Sequence, residues 1–203
     1  VQGRNPAELR KSEASLHEAL RARTVDQPQI QSILVLDARG RPLASSRLLP
    51  FPAVDFSDGE YFRVHRDGLQ TPYVSKPIVT RTSNERILNL SVGYLDDQGQ
   101  FGGAINISLL ASYFNQYYGD IVAGNPGLTI GLFAPGGEIY TRWPAAADDG
   151  EQLDPQGAVL QNLRRGIEAA QVRGVSAING KDSYVAYRKV GGHPLFVAAG
   201  RSR

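Results

Sequence analysis

Cysteine is absent from these 203 residues, which removes disulfides, thiolate nucleophiles and cysteine-based zinc or iron sites at one stroke and fits an extracytoplasmic compartment. Histidine occurs only at His17, His65 and His193, scattered and without a His-Glu-x-x-His pair. There is no Gly-x-Ser-x-Gly elbow, and Gly102-Gly103 is too short for a phosphate loop. The paired carboxylates Asp96-Asp97 and Asp148-Asp149 each sit in a turn signature, where Asp accepts backbone hydrogen bonds. No catalytic residue, metal or cofactor is therefore assigned. No apolar run approaches the ~18 to 20 residues that span a bilayer. With 22 Lys and Arg against 20 Asp and Glu, the formal charge is only +2, and no basic run tracks a phosphate backbone, so nucleic acid is not expected as a partner. Methionine is missing throughout and the chain starts at Val1. The expectation is a piece of a longer protein whose other parts include membrane anchors.

What is present reads as a mixed, compact fold. Hydrophobic residues make up 41% and charged residues 21%, within the globular range, and the length suits one large domain or two small ones. Asn5-Pro6-Ala7-Glu8 offers a cap, a proline at the first helical position and a Glu three residues after the cap. A long N-terminal helix is predicted from there to about Arg23, with Leu9, Leu16 and Leu20 on one stripe. A strand–turn–strand pattern follows at residues 33–46, then at 87–108, 128–142 and 184–199. Short helices are predicted around residues 58–66 and 158–170, and a further leading helix at 109–118. One unit, helix, hairpin, short helix, hairpin, is thus used twice, each an α+β arrangement of antiparallel sheet and helices. Strand alternation sends Gly103, Ile105 and Ile107 to one face and Gly102, Ala104, Asn106 and Ser108 to the other; Leu88, Leu90 and Val92 likewise oppose Asn89, Ser91 and Gly93. One face should pack on the leading helix. The other is small and polar, suited to solvent or to a cavity floor.

The block Asp58-Gly59-Glu60-Tyr61-Phe62 with His65, followed by Tyr73-Val74-Ser75-Lys76-Pro77, by Leu90-Ser91, by Asp97-Gln98-Gly99-Gln100-Phe101-Gly102-Gly103 and by Leu109-Leu110-Ala111-Ser112-Tyr113-Phe114, resembles the double Cache (tandem PAS-like) sensor domains of bacterial membrane receptors. The resemblance covers residues 58–118 well and the ends in outline. Gly59 stands where Arg is usual, and the Tyr, Arg and Trp-Tyr marks of the amino-acid-binding subgroup are missing. The resemblance implies a periplasmic or extracellular sensor, with a leading helix and membrane-distal module at residues 1–115 and a smaller membrane-proximal module at 116–203. It also implies lost flanking transmembrane helices and a cytoplasmic histidine kinase, diguanylate cyclase or chemotaxis output.

The candidate ligand-binding residues are Tyr61, His65, Tyr73, Ser75, Arg81, Asn89, Ser91 and Asn106. Tyr61 and His65 are four apart and share a helix face. Their alternative role is a packed Tyr and a His satisfying a nearby carbonyl. Arg81 could clamp a carboxylate through its planar fork, or form a rim pair with Glu85 or an Asp. Asn89, Ser91 and Asn106 form a pocket floor only if residues 50–72 cover them. The aromatics Tyr113, Phe114, Tyr117 and Tyr118 read as interdomain core, and Trp143 as packing at a strand end. The function expected is sensing of a small polar or anionic metabolite, possession of a carboxylate fitting Arg81. The alternative is a ligand-free interaction or dimerisation module, in which the leading helix pairs between copies of a homodimer. A closed polar face would favour that alternative, and a roomy cavity would favour sensing.

Overall fold

The structure, a computed structural model, describes residues 12–81, 83–145, 152–176 and 180–202. The chain divides into two compact units, Val1–Leu110 and Ala111–Arg203. The predicted helix start at Asn5-Pro6 and the pair Asp148-Asp149 lie outside the described residues.

The first unit contains α1 (Glu13–Ala22), β1 (Ile30–Asp37), β2 (Pro42–Ser45), α2 (Glu60–Arg66), β3 (Tyr73–Val74), β4 (Ile78–Val79), β5 (Arg86–Leu95) and β6 (Phe101–Leu110). Its antiparallel sheet has the order β2-β1-β6-β5-β3, with β4 also paired to β5. The hairpins form where turn chemistry permits. Asp37 Oδ1 accepts from the Arg39 and Arg41 amides, and Asp96 Oδ1 from those of Gln98 and Gln100.

The period of two along these strands gives each face its own partner. Leu16 and Leu20 of α1 pack with Ile33, Val35, Leu43, Ile105 and Ile107. On the opposite face Leu34, Leu36 and Ala104 pack under Phe56, Tyr61 and Phe62. Phe62 is fully buried and meets Phe101 edge-on with ring centroids 5.5 Å apart. Helix α2 forms because Tyr61, Phe62 and His65 fall on one stripe three and four residues apart, all buried.

The second unit contains α3 (Ala111–Val122), β7 (Leu128–Phe133), β8 (Ile139–Trp143), α4 (Ala158–Arg164), β9 (Ala169–Val175), β10 (Asp182–Lys189) and β11 (Phe196–Ser202), with sheet order β8-β7-β11-β10-β9. Phe114, Tyr118 and Val122 of α3 pack against Ile130, Trp143 and Val197, so part of the aromatic cluster belongs to this unit's own core, while Tyr117 is exposed. Helix α3 runs on past Tyr118 to Val122. The helix predicted over 158–170 is corrected: it stops at Arg164, Gly166 takes φ +77°, and Ala169 begins β9. That strand alternates exposed and half-buried residues along its length, an edge-strand pattern that its Ala, Gln and Arg content conceals.

Gly103 shows why the paired glycines of β6 are structural. It has φ +144°, and a Cβ there would lie 2.0 Å from the Leu36 carbonyl oxygen and 2.8 Å from the Tyr94 hydroxyl. That hydroxyl donates to the same carbonyl at 2.9 Å. Gly103→Ala is expected to lower unfolding free energy by about 2 kcal/mol or more, through backbone strain and displacement of the Leu36 carbonyl. Urea denaturation of the two proteins checks this; equal midpoints would refute the strain.

Candidate ligand-binding site

A cavity of about 260 Å³ lies between the lid face of the first sheet and its cover. Its floor is Ser32 of β1, Asn89 of β5, and Asn106 and Ser108 of β6; Leu34 and Ile87 supply apolar wall. Phe51, Phe56 and Tyr61 roof it, and Arg47, Glu60, Lys76 and Arg81 stand on its lining. The strand register explains the floor, since Asn106 sits opposite Leu34 and Ser91, and Asn89 opposite Ser108.

Five of the eight candidate residues meet in this cavity: Tyr61, Ser75, Arg81, Asn89 and Asn106. Three lie outside its lining. His65 is buried and satisfied at both ring nitrogens, Nε2 2.9 Å from Ser91 Oγ and Nδ1 2.9 Å from the Leu69 carbonyl. This pins the far end of α2 to the sheet and closes the space over Ser91. Tyr73 pairs with Ser91 in register and packs on the cluster around Phe62.

Polar partners inside the cavity are unevenly distributed. Ser75 Oγ donates to the Lys76 carbonyl at 2.8 Å and accepts from the Asn89 amide at 3.2 Å. Asn89 Oδ1 and both polar atoms of the Asn106 side chain are buried without a hydrogen-bond partner. Asn106 is 1% exposed and Asn89 is 4% exposed. Unmet buried amides of this kind cost about 1–3 kcal/mol each unless water or a ligand engages them.

The expected carboxylate clamp is already occupied. Arg81 donates to both oxygens of Asp58, at 2.8 and 2.7 Å, and to the Asp55 carbonyl at 2.6 Å, with its guanidinium 5.9 Å from the centre of the Phe56 ring. The Arg81 hydrogen bond holds the Asp58 carboxyl below its ordinary value, and the same contact raises Arg81. Of the two rim partners foreseen for Arg81, an Asp is the one it has, and Glu85 takes Arg47 at 2.7 Å and Gln31 at 2.8 Å. Hydrogen bonds from Gln31, Ser83 and Arg47 hold its carboxyl down at about 2. Burial pushes the Tyr61 phenol up to about 12, so it stays protonated and able to donate.

Tyr61 reaches its place because position 59 has no side chain. A Cβ on Gly59 would lie 2.6 Å from Tyr61 Cζ, so the ring folds back over the spot where related sensors usually carry Arg. Sequence reasoning missed Gln31, Arg47 and the roof residues Phe51 and Phe56. Ser32 carried a usable signal, two residues before Leu34 on the same face of β1. Among the described residues no group of three or more His, Asp or Glu is placed to hold a metal ion.

No protein-family profile matches the chain, and no curated protein matches it. Among solved structures it is similar to the extracellular domain assigned to histidine kinase rpHK1S-Z16, with TM-score 0.82 and 28% identity over 97% of this chain and 83% of that one. The chain has the double Cache sensor fold. The ligand-binding domain of the amino-acid chemoreceptor PctC of Pseudomonas aeruginosa PAO1, in complex with GABA, matches with TM-score 0.60 and 16% identity over 96% of this chain and 92% of that one. The ligand-binding domain of Mlp24 with asparagine matches with TM-score 0.61 and 13% identity over 95% and 76%. These structural neighbours are sensor or ligand-binding domains rather than enzymes, and the present chain is a sensor module of the extracytoplasmic kind. No helix among the described residues is long and apolar enough to cross a membrane.

The depressed Glu85 carboxyl gives a signed pH effect. Its stabilisation is fully present above the ordinary value of 4.5 and is lost as pH falls towards about 2. Thermal melts stepped across that window are expected to fall less steeply for Glu85→Gln than for the parent protein. Parallel curves would show that the carboxylate contributes nothing there.

Proposed function

We propose that the first unit is the membrane-distal, ligand-sensing module of a transmembrane receptor, and that it binds a small polar or anionic metabolite in the cavity between its sheet and lid. The observation that carries this reading is the pair Asn89 and Asn106, whose buried amide atoms face a roofed hollow without partners. A sheet face evolved only as a spacer would fill that hollow or satisfy those groups. A ligand-free interaction module would be favoured by a closed polar face, and the hollow counts against it. The PctC domain with GABA and the Mlp24 domain with asparagine support small-molecule binding by this fold.

Signal transfer follows from what touches the lid. His17 Nδ1 of α1 lies 2.6 Å from the Ser45 carbonyl, and Glu13 accepts from the Phe51 amide at 3.3 Å. Ser45 Oγ accepts from the Arg47 amide at 3.1 Å. Residues 45–51 therefore belong to both the cavity wall and the contacts of the leading helix. A ligand that reorders this strap biases the position of α1 against the sheet, and the second unit passes the bias to anchors and an output domain in the longer receptor. Histidine kinase, diguanylate cyclase and chemotaxis outputs all suit such an input.

A metabolite panel spanning anionic, cationic, zwitterionic and neutral compounds tests the role by thermal shift. At 100-fold excess over Kd a true ligand raises unfolding free energy by about 2.7 kcal/mol. The shift is expected to vanish in Asn89→Leu and to shrink in Tyr61→Phe. A panel without a hit, or hits indifferent to both substitutions, would refute ligand sensing in this cavity.

A further inference from the structure

Two of the cations on the cavity lining are paired with carboxylates that stand outside it. Arg81 holds Asp58 in a two-oxygen contact, Arg47 holds Glu85, and Glu60 shares the lining with Lys76. A ligand carboxylate reaching Arg81 would compete with Asp58 for its guanidinium, exchanging one ion pair for another.

The unmet groups lie deeper and are uncharged. Asn106 has neither its amide nitrogen nor its amide oxygen engaged, and Asn89 has a free Oδ1 two strand positions away across the β5–β6 pairing. A carboxamide sets one donor beside one acceptor in a plane. Its complement sets an acceptor beside a donor, as a second amide, a lactam or a pyrimidine edge does. A carboxylate only accepts, and would set its oxygen against that of Asn106. An ammonium only donates, and would leave the Asn106 nitrogen unmet. The complement is the same whichever way round the amide is turned.

We propose that this cavity selects uncharged molecules with an amide-like donor–acceptor edge, read by Asn106 with Asn89 beside it, in preference to carboxylates; this rests on the ligand-sensing role proposed above. The space of about 260 Å³ suits a small molecule. Leu34, Ile87 and Phe56 give such a flat molecule apolar surface to lie against, and the Tyr61 phenol adds one further donor.

Uracil and nicotinamide serve as neutral probes, with propionate and succinate as charged ones, titrated into the 203-residue chain by calorimetry. At least one neutral probe is expected to bind, and Asn106→Leu to weaken it tenfold or more with an unchanged circular dichroism spectrum. Asn106→Asp keeps the side-chain shape and removes the donor, so it is expected to weaken binding as well and stands in if the Leu variant fails to fold. Binding of propionate or succinate that survives Asn106→Asp overturns the amide-edge selection and leaves ligand sensing intact. Silence from both neutral probes at millimolar concentration overturns it too, and the wider metabolite panel then decides ligand sensing on its own.

Discussion

Side chains on neighbouring strands alternate between two faces, so β5 and β6 cannot furnish an apolar surface for the leading helix without also presenting a second surface to whatever covers them. Here the second surface carries Asn89, Ser91, Asn106 and Ser108, all buried. Polar groups placed there require either a satisfied lid or a hydrated hollow. The first unit uses both solutions along a single face, and the rest of its architecture follows from where one gives way to the other.

The changeover falls between neighbours. Ser91 and Asn106 are paired in register, yet His65 meets Ser91 while the Asn106 amide is left open. Helix α2 is short, seven residues, and is held to the sheet by Phe62 and His65. Beyond it the cover becomes a strap of irregular chain stitched by ion pairs, Arg81 with Asp58 and Arg47 with Glu85. Exposed pairs of this kind add little to stability and break readily. The unit therefore combines a fixed end and a yielding end over one continuous floor, an arrangement suited to an element that must move when occupied.

Periodicity made the sheet and its two faces readable from sequence, because alternation and Asp-Gly turn chemistry are local properties. Asn89 and Asn106 on the floor were legible for the same reason, whereas Ser32 was not singled out. The division of that floor was not, since the contact of His65 with Ser91 depends on how far α2 overlaps the sheet, a tertiary quantity. The rim partner of Arg81 was left open between Glu85 and an Asp, because the choice of Asp58 for Arg81 and of Arg47 for Glu85 joins segments 23 and 38 residues apart. Strand β9 was missed because its composition has no β-branched run, and only pairing with β10 makes it a strand.

Gly59 and Tyr61 occupy one volume between them, and no side chain at the first can coexist with the present ring position of the second. Any side chain added at 59 therefore requires the Tyr61 ring to move. An arginine entering at 59 would push the aromatic ring aside and bring a cation to the roof in the same step, so shape and polarity change together at this corner.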